Sequence, residues 1–119
     1  MKYLCLVYTA EAAEHAAPDA PHDDECAANL DALKASGHLL LGQPLQPVCT
    51  ATTVRKRDGR VSVTDGPFAE TKEQLAGFIL IEARDLNDAI KVAARIPTAR
   101  TGSIEVRPVR QLMAGTAAA

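Results

Sequence analysis

Residues 64–82 read TDGPFAETKEQLAGFILIE, and the run Phe78-Ile79-Leu80-Ile81 within them decides the fold. Successive side chains of a β-strand point to opposite faces. Phe78 and Leu80 therefore share one face, Ile79 and Ile81 the other, and both faces are apolar. An antiparallel sheet with one face in water alternates apolar with polar, so this strand needs cover on both sides. Ahead of it, Asp65-Gly66-Pro67 reads as a turn. Pro67 forces Gly66 out of the α region, and glycine tolerates the conformations left to it. Thr71 and Gln74 have the T-x-x-Q spacing of a capping box, which predicts one helical turn over 71–76, ended by Gly77.

Working outward, KYLCLVY (2–8) is a second strand with two apolar faces, Tyr3, Cys5 and Val7 against Leu4, Leu6 and Tyr8. Residues 9–22, rich in Ala, Pro and acid, read as a loop with some helical turn. From Asp23, the recurrence of Cys26, Ala27, Leu30, Leu33 and Lys34 predicts a helix, with Asp24, Glu25 and Asp31 on its other side and Gly37 at its end. His38–Leu41 follows as a strand, stopped by Pro44 and Pro47, which cannot donate to a ladder. In TATTVRKRDGRVSV, two β-rich arms flank Asp58-Gly59, the pair that a type I′ turn favours, and the charges keep that hairpin solvated. Asp85 is a good N-cap for a helix carrying Leu86, Ala89, Ile90, Ala93 and Ala94 on one face, closed by Pro97. Ser103–Val109 is the last strand. The order β-α-β, hairpin, β-α-β predicts an α+β, ferredoxin-like fold: a four-stranded antiparallel sheet with an inserted β-hairpin and both helices on one face. It occupies residues 1–110 as a single domain, with 111–119 as a frayed tail.

Two helices cover one face of such a sheet and leave the other bare. Each large apolar side chain left in water forgoes about 1.5–3 kcal/mol, so a homodimer packed sheet to sheet about a two-fold axis is expected. In the last strand Ile104 and Val106 point one way and Glu105 and Arg107 the other. With the apolar pair toward the helices, the charged pair either lines the space between the sheets or forms an edge salt bridge in water.

Composition excludes several classes. The chain has 119 residues, 47% apolar and 24% charged, with 3% aromatics, no Trp and a net charge of −2. Neutralising phosphates calls for a basic excess, so a nucleic-acid partner is not expected. No stretch approaches the roughly 20 apolar residues of a membrane span, and a cytoplasmic location is expected. Cys5, Cys26 and Cys49 form no CxxC pair and read as buried or half-buried thiols in a reducing compartment. His15, His22 and His38 share no ligand spacing, there is no phosphate-cradling glycine loop, and neither metal nor cofactor is expected.

The chain resembles the DGPF branch of the YCII-related family. TDGPFAETKEQLAGF carries the resemblance, supported by MKYLCLVY at the start, ATTVR before the hairpin, AARIP at the end of the second helix and GSIEVRPV in the last strand. Together these motifs span 1–110. The resemblance implies a dimeric α+β barrel of two ferredoxin-like units, with a cleft near the sheet face. It also implies a His early in the first helix, paired with an Asp, as the catalytic element of YCII-type members. Anchored on LDALKASGHLLLGQPL, that position falls on Cys26. Its acidic neighbours would raise the thiol pKa, which leaves His22 with Asp23 or Asp24 as a displaced dyad. Candidate ligand-binding residues are Tyr8 at the cavity mouth, Asp65, Glu70 and Lys72 in the signature, and Arg107. Asp65 reads equally as a turn residue bonding its own backbone, and Glu70 with Lys72 as part of a network pinning the hairpin to the next strand. Two functions stay open: a ligand-binding or accessory protein for a small polar molecule, with the link to an alternative sigma factor that DGPF resemblance implies, and a cofactor-free acid–base enzyme such as an isomerase, lyase or lactone hydrolase.

Overall fold

A computed structural model describes residues 1–14 and 16–113. In chain order the elements are β1 (Lys2–Thr9), α1 (Glu11–Glu14), α2 (Asp23–Ala35), β2 (Leu39–Pro44), β3 (Thr52–Arg57), β4 (Arg60–Asp65), β5 (Gln74–Glu82), α3 (Leu86–Ala94) and β6 (Ser103–Pro108), with short 3-10 turns at Val48–Thr50 and Pro97–Arg100. Four strands form one sheet in the order β2-β5-β1-β6, every pair antiparallel. This is the expected ferredoxin-like α+β fold, with β1 and β5 at its centre. β3 and β4 form a separate two-stranded hairpin. Asp58 and Gly59 turn it at φ 52° and 75°, the positive values a type I′ turn requires. The expected tail lies mostly outside the described residues.

Register explains the core. Tyr3 lies opposite Ile81 and Cys5 opposite Ile79, and with Val7 they form a buried cluster with Leu33 of α2 and Ala89, Val92 and Ala93 of α3. Burial pushes the Cys5 thiol up to about 11, so it stays protonated and inert. Cys26 is half-buried, and its thiol is raised by burial first, then by Asp23 and Glu25. Cys49 departs from expectation: it is exposed, because the 3-10 turn at Val48–Thr50 stands outside the core.

Two local readings are overturned. No helical turn forms at 71–76; β5 already begins at Gln74. The Gln74 amide donates to the Thr71 carbonyl at 2.7 Å, and the Thr71 hydroxyl donates to the Glu73 carbonyl at 2.6 Å. The two capping-box residues thus bond to loop carbonyls instead of capping a helix. Gly77 is an interior strand residue between Val7 and Pro44, where a Cβ would sit 2.9 Å from the Gln43 carbonyl oxygen. The second correction concerns α3. Its buried side is Asp88, Ala89, Val92 and Ala93, while Leu86 and Ile90 are exposed. Asp88 turns inward because its carboxylate has partners there.

Gly102 fixes where β6 meets β1. A Cβ at this position would lie 2.1 Å from the Tyr8 carbonyl oxygen. Gly102→Ala is expected to cost about 1–3 kcal/mol, the range for forced overpacking, in urea denaturation. A loss under about 0.5 kcal/mol would show that β6 shifts freely along β1.

Candidate functional site

The face of the sheet opposite the helices carries the side chains that alternate with the core. Leu4 pairs with Leu80 and Leu6 with Phe78; Leu41 lies beside Leu80 and Gln43 beside Phe78; Arg107 lies beside Leu4 and Glu105 beside Leu6. Directly paired residues project on the same face. Leu4, Leu6, Tyr8, Phe78 and Leu80 are half-buried, and Leu41 and Leu75 are exposed. Ile104 and Val106 pack on the helix-side core, which leaves Glu105 and Arg107 on the open face. There Arg107 Nε lies 3.9 Å from Glu105 Oε2, with both side chains well exposed. Tyr8 pairs with Ser103 and Leu4 with Arg107. Four residues of strand, roughly 13 Å, thus separate the tyrosine row from the arginine row, a span that fits a small molecule over an apolar floor.

A polar network closes the Tyr8 end. The Glu11 N–H donates to Gln74 Oε1 at 3.0 Å, and Glu11 Oε1 accepts from the Val48 N–H at 2.8 Å. The Ser103 hydroxyl donates to Glu73 Oε1 at 2.7 Å, and the Thr101 hydroxyl to Glu14 Oε1 at 2.9 Å. Through these bonds Gln74 is tied to the segment after β1 and Glu73 to the start of β6. Glu70 and Lys72 are exposed. Asp65 ends β4 opposite Thr52, and the turn after it is held by Gly66: its N–H donates to the Ala51 carbonyl at 2.7 Å, and its carbonyl accepts from the Thr53 hydroxyl at 2.8 Å.

His22 is the N-cap residue of α2, exposed and without a side-chain capping bond. With Pro21, Asp23 and Asp24 it outlines a shallow depression of about 600 Å³. The nearby carboxylate with a firm partner is Glu25, which takes two hydrogen bonds from the Arg100 guanidinium at 2.5 and 2.6 Å. That contact holds Glu25 below the usual carboxylate range.

The sequence reading missed a second imidazole. His38 Nε2 lies 3.3 and 3.4 Å from the two carboxylate oxygens of Asp88, and Nδ1 lies 2.7 Å from the Ser36 hydroxyl oxygen. That hydroxyl also donates to the Leu33 carbonyl at 3.0 Å. Asp88 is only 9% exposed; it accepts from the Arg84 N–H at 3.0 Å and lies 3.7 Å from the Arg84 guanidinium. These residues, with Gly37, Glu82 and Ala83, line an open recess of about 420 Å³. Half of this was legible. Asp85 caps α3 by accepting from the Asp88 N–H at 2.9 Å, and an acid three residues after a cap commonly reaches back. His38 lies fifty positions away, beyond any local pattern.

The Arg84 backbone bond, and then His38 and the Arg84 charge, hold the Asp88 carboxyl below its usual range. A carboxyl depressed in the folded state contributes stability above its unfolded pKa, and that contribution is lost as pH falls through the folded value. Asp88→Asn is therefore expected to lower the urea midpoint at pH 7. The gap from the native protein should narrow steadily below about pH 4, the ordinary carboxylate range. A gap independent of pH would assign the loss to packing alone.

Fold and open face together define a ferredoxin-like α+β unit with one sheet face uncovered. The chain belongs to the YCII-related family, whose model matches residues 1–113. An uncharacterised protein of Rhizobium meliloti (strain 1021) is 49% identical over 67 residues, which are 55% of this chain and 54% of that protein. The chain thus matches about half the length of that curated relative. Among solved structures, 5-chloro-2-hydroxyhydroquinone dehydrochlorinase from Burkholderia phenoliruptrix AC1100, in complex with 2,5-dihydroxybenzoquinone, is similar with a TM-score of 0.55 and 16% identity, covering 93% of this chain and 95% of that one. At that identity the likeness concerns the fold.

Proposed function

We propose that the protein binds a small, flat, oxygen-bearing molecule on the open face of its sheet, in a cleft closed by a second copy of the chain. The observation that carries this reading is the face itself: an apolar floor of Leu4, Leu6, Phe78 and Leu80 between a tyrosine row and an arginine row. A ring sits on such a floor, and its oxygens reach Tyr8 at one end or Arg107 at the other. Asp65, Glu70 and Lys72 contribute from the exposed segment leading into β5. The ligand in the similar fold, 2,5-dihydroxybenzoquinone, has this chemistry and is the natural first probe. In the accessory form of this reading, occupancy is the signal, and the expected link to an alternative sigma factor is its output.

Titration calorimetry with 2,5-dihydroxybenzoquinone tests the site. Binding is expected, and Arg107→Ala should weaken it about tenfold, the usual loss for a charge-assisted contact. Equal affinity in Arg107→Ala and Phe78→Ala would remove the open face as the site.

One observation favours a second reading, a cofactor-free acid–base enzyme. Among the described residues His38 is an imidazole held by a carboxylate, and that pairing suits proton transfer near neutral pH. His22 with Asp23 is the other dyad from which such an enzyme would work. Protein-dependent exchange of the ring hydrogens of 2,5-dihydroxybenzoquinone for solvent deuterium, lost in His38→Ala or in His22→Ala, would support proton transfer and name the base. Binding without such exchange favours the accessory role.

A further inference from the structure

Among the described residues, the β3–β4 hairpin pairs with no other strand of its own chain. It forms a sheet of two strands only, and an isolated two-stranded hairpin is marginal in water. The chain is correspondingly spread out. Its radius of gyration is 16.3 Å with extents of 46 × 46 × 20 Å, against about 13.5 Å for a compact domain of this length. The hairpin is also two-sided. Val54 pairs with Val63, and Lys56 with Val61. This puts three valines on one face at 62–65% exposure. Arg55, Arg57 and Arg60 lie on the other face, since Arg57 pairs with Arg60 and Arg55 with Ser62. Among the described residues, none of the four hairpin cations makes an ion pair.

The complementary charge lies elsewhere in the same chain. Residues 3–33 contain seven acids and no Lys or Arg. Glu11 of that stretch accepts from the Val48 N–H, three residues before Ala51, where the hairpin is anchored through Gly66. The root of the hairpin and the acidic stretch therefore share one end of the sheet.

We propose that the hairpin is an arm that reaches a second copy of this chain. Its valine stripe lies on that copy, and its arginine face meets the copy's acidic stretch around Asp19 and Asp24. A two-fold axis running along the strands sets the two hairpin ends side by side, so each arm reaches its neighbour and the exchange closes as a dimer. This rests on the paired-copy cleft proposed above and adds a second, separable contact.

A charge swap read by sedimentation tests it. Arg55→Glu/Arg57→Glu and Asp19→Lys/Asp24→Lys are all surface changes, so each chain should fold. Each variant alone should dimerise about tenfold or more weakly, because like charges are set against each other. Mixed one to one, the two should recover dimerisation near the native level, since every arm then meets an opposite charge. A contact within one chain cannot give that recovery. If both variants keep the native dissociation constant, or mixing brings no gain, the arm contact is overturned. The sheet-to-sheet contact is read separately, from Leu6→Glu. A dimer lost in Leu6→Glu but indifferent to the charge swap leaves the cleft and removes the arm. The reverse pattern leaves the arm and removes the cleft, and a monomeric native protein at micromolar concentration removes both.

Discussion

Leu6→Glu is expected to give a folded monomer under conditions where the native chain is expected to pair with a second copy. Leu6 lies at the centre of the open face, opposite Phe78 on one side and Glu105 on the other. In a single chain it is half-buried, and its neighbours across the sheet are in part polar, so a carboxylate there can turn to water. Once two faces close, water is gone. An uncompensated buried charge costs about 3–5 kcal/mol, or roughly two to four powers of ten in the dissociation constant. Glu105 adds like-charge repulsion beside it. The same substitution one position earlier, at fully buried Cys5, should unfold the chain outright, because that site is enclosed within one copy. Circular dichroism separates the two outcomes, and sedimentation reads the assembly. A Leu6→Glu protein that remains dimeric would place the interface elsewhere and leave the open face wet.

That contrast shows how far the sequence reaches. The sheet order follows from period-two patterning. The runs KYLCLVY and FILI, apolar on both faces, become the two central strands, where a paired neighbour on each side buries their helix-side residues and half-buries the others. The Asp58-Gly59 hairpin and the Asp85 cap are local chemistry and form as read. The helical turn at 71–76 fails because its capping residues find nearer carbonyls in the loop, and Glu11, far away in sequence, holds Gln74 in an extended segment. The face of α3 is misjudged for a related reason. Counting Leu86 and Ile90 as core ignores that the Asp88 carboxylate is held by His38 and the Arg84 N–H while Asp85 caps its backbone N–H, which turns Asp88 instead of Leu86 or Ile90 toward the sheet. The site residues divide in the same way. Tyr8 and Arg107 are legible because strand parity assigns them a face. His38 with Asp88 is not, because the pairing depends on how β2 and α3 meet, which no spacing rule carries.

Leu33→Ala should produce the largest loss of stability of any single truncation in α2. Leu33 is the one buried residue of that helix and is completely inaccessible. Leu30 packs beside it only in part, held close because Gly42 beneath it has no side chain; a Cβ there would lie 2.9 Å from a Leu30 methyl. Truncating a buried leucine costs about 2–5 kcal/mol, more where the surroundings cannot collapse into the space. Collapse is hindered here, since the helix is tied at both ends. The Glu25–Arg100 fork fixes its first turn, and Gly37, at φ 81°, with the His38 N–H donating to the Leu33 carbonyl, fixes its last. The upper part of that range is therefore expected, a large share of the 5–15 kcal/mol of a typical domain. Leu33→Met, which nearly conserves volume, should lose under about 1.5 kcal/mol. Urea denaturation measures both. If the alanine variant lost no more than the methionine variant, α2 would be held by its ends and not by its packing. Cys26 thiol labelling should then be equally slow in both proteins, because the helix would never lift from the sheet.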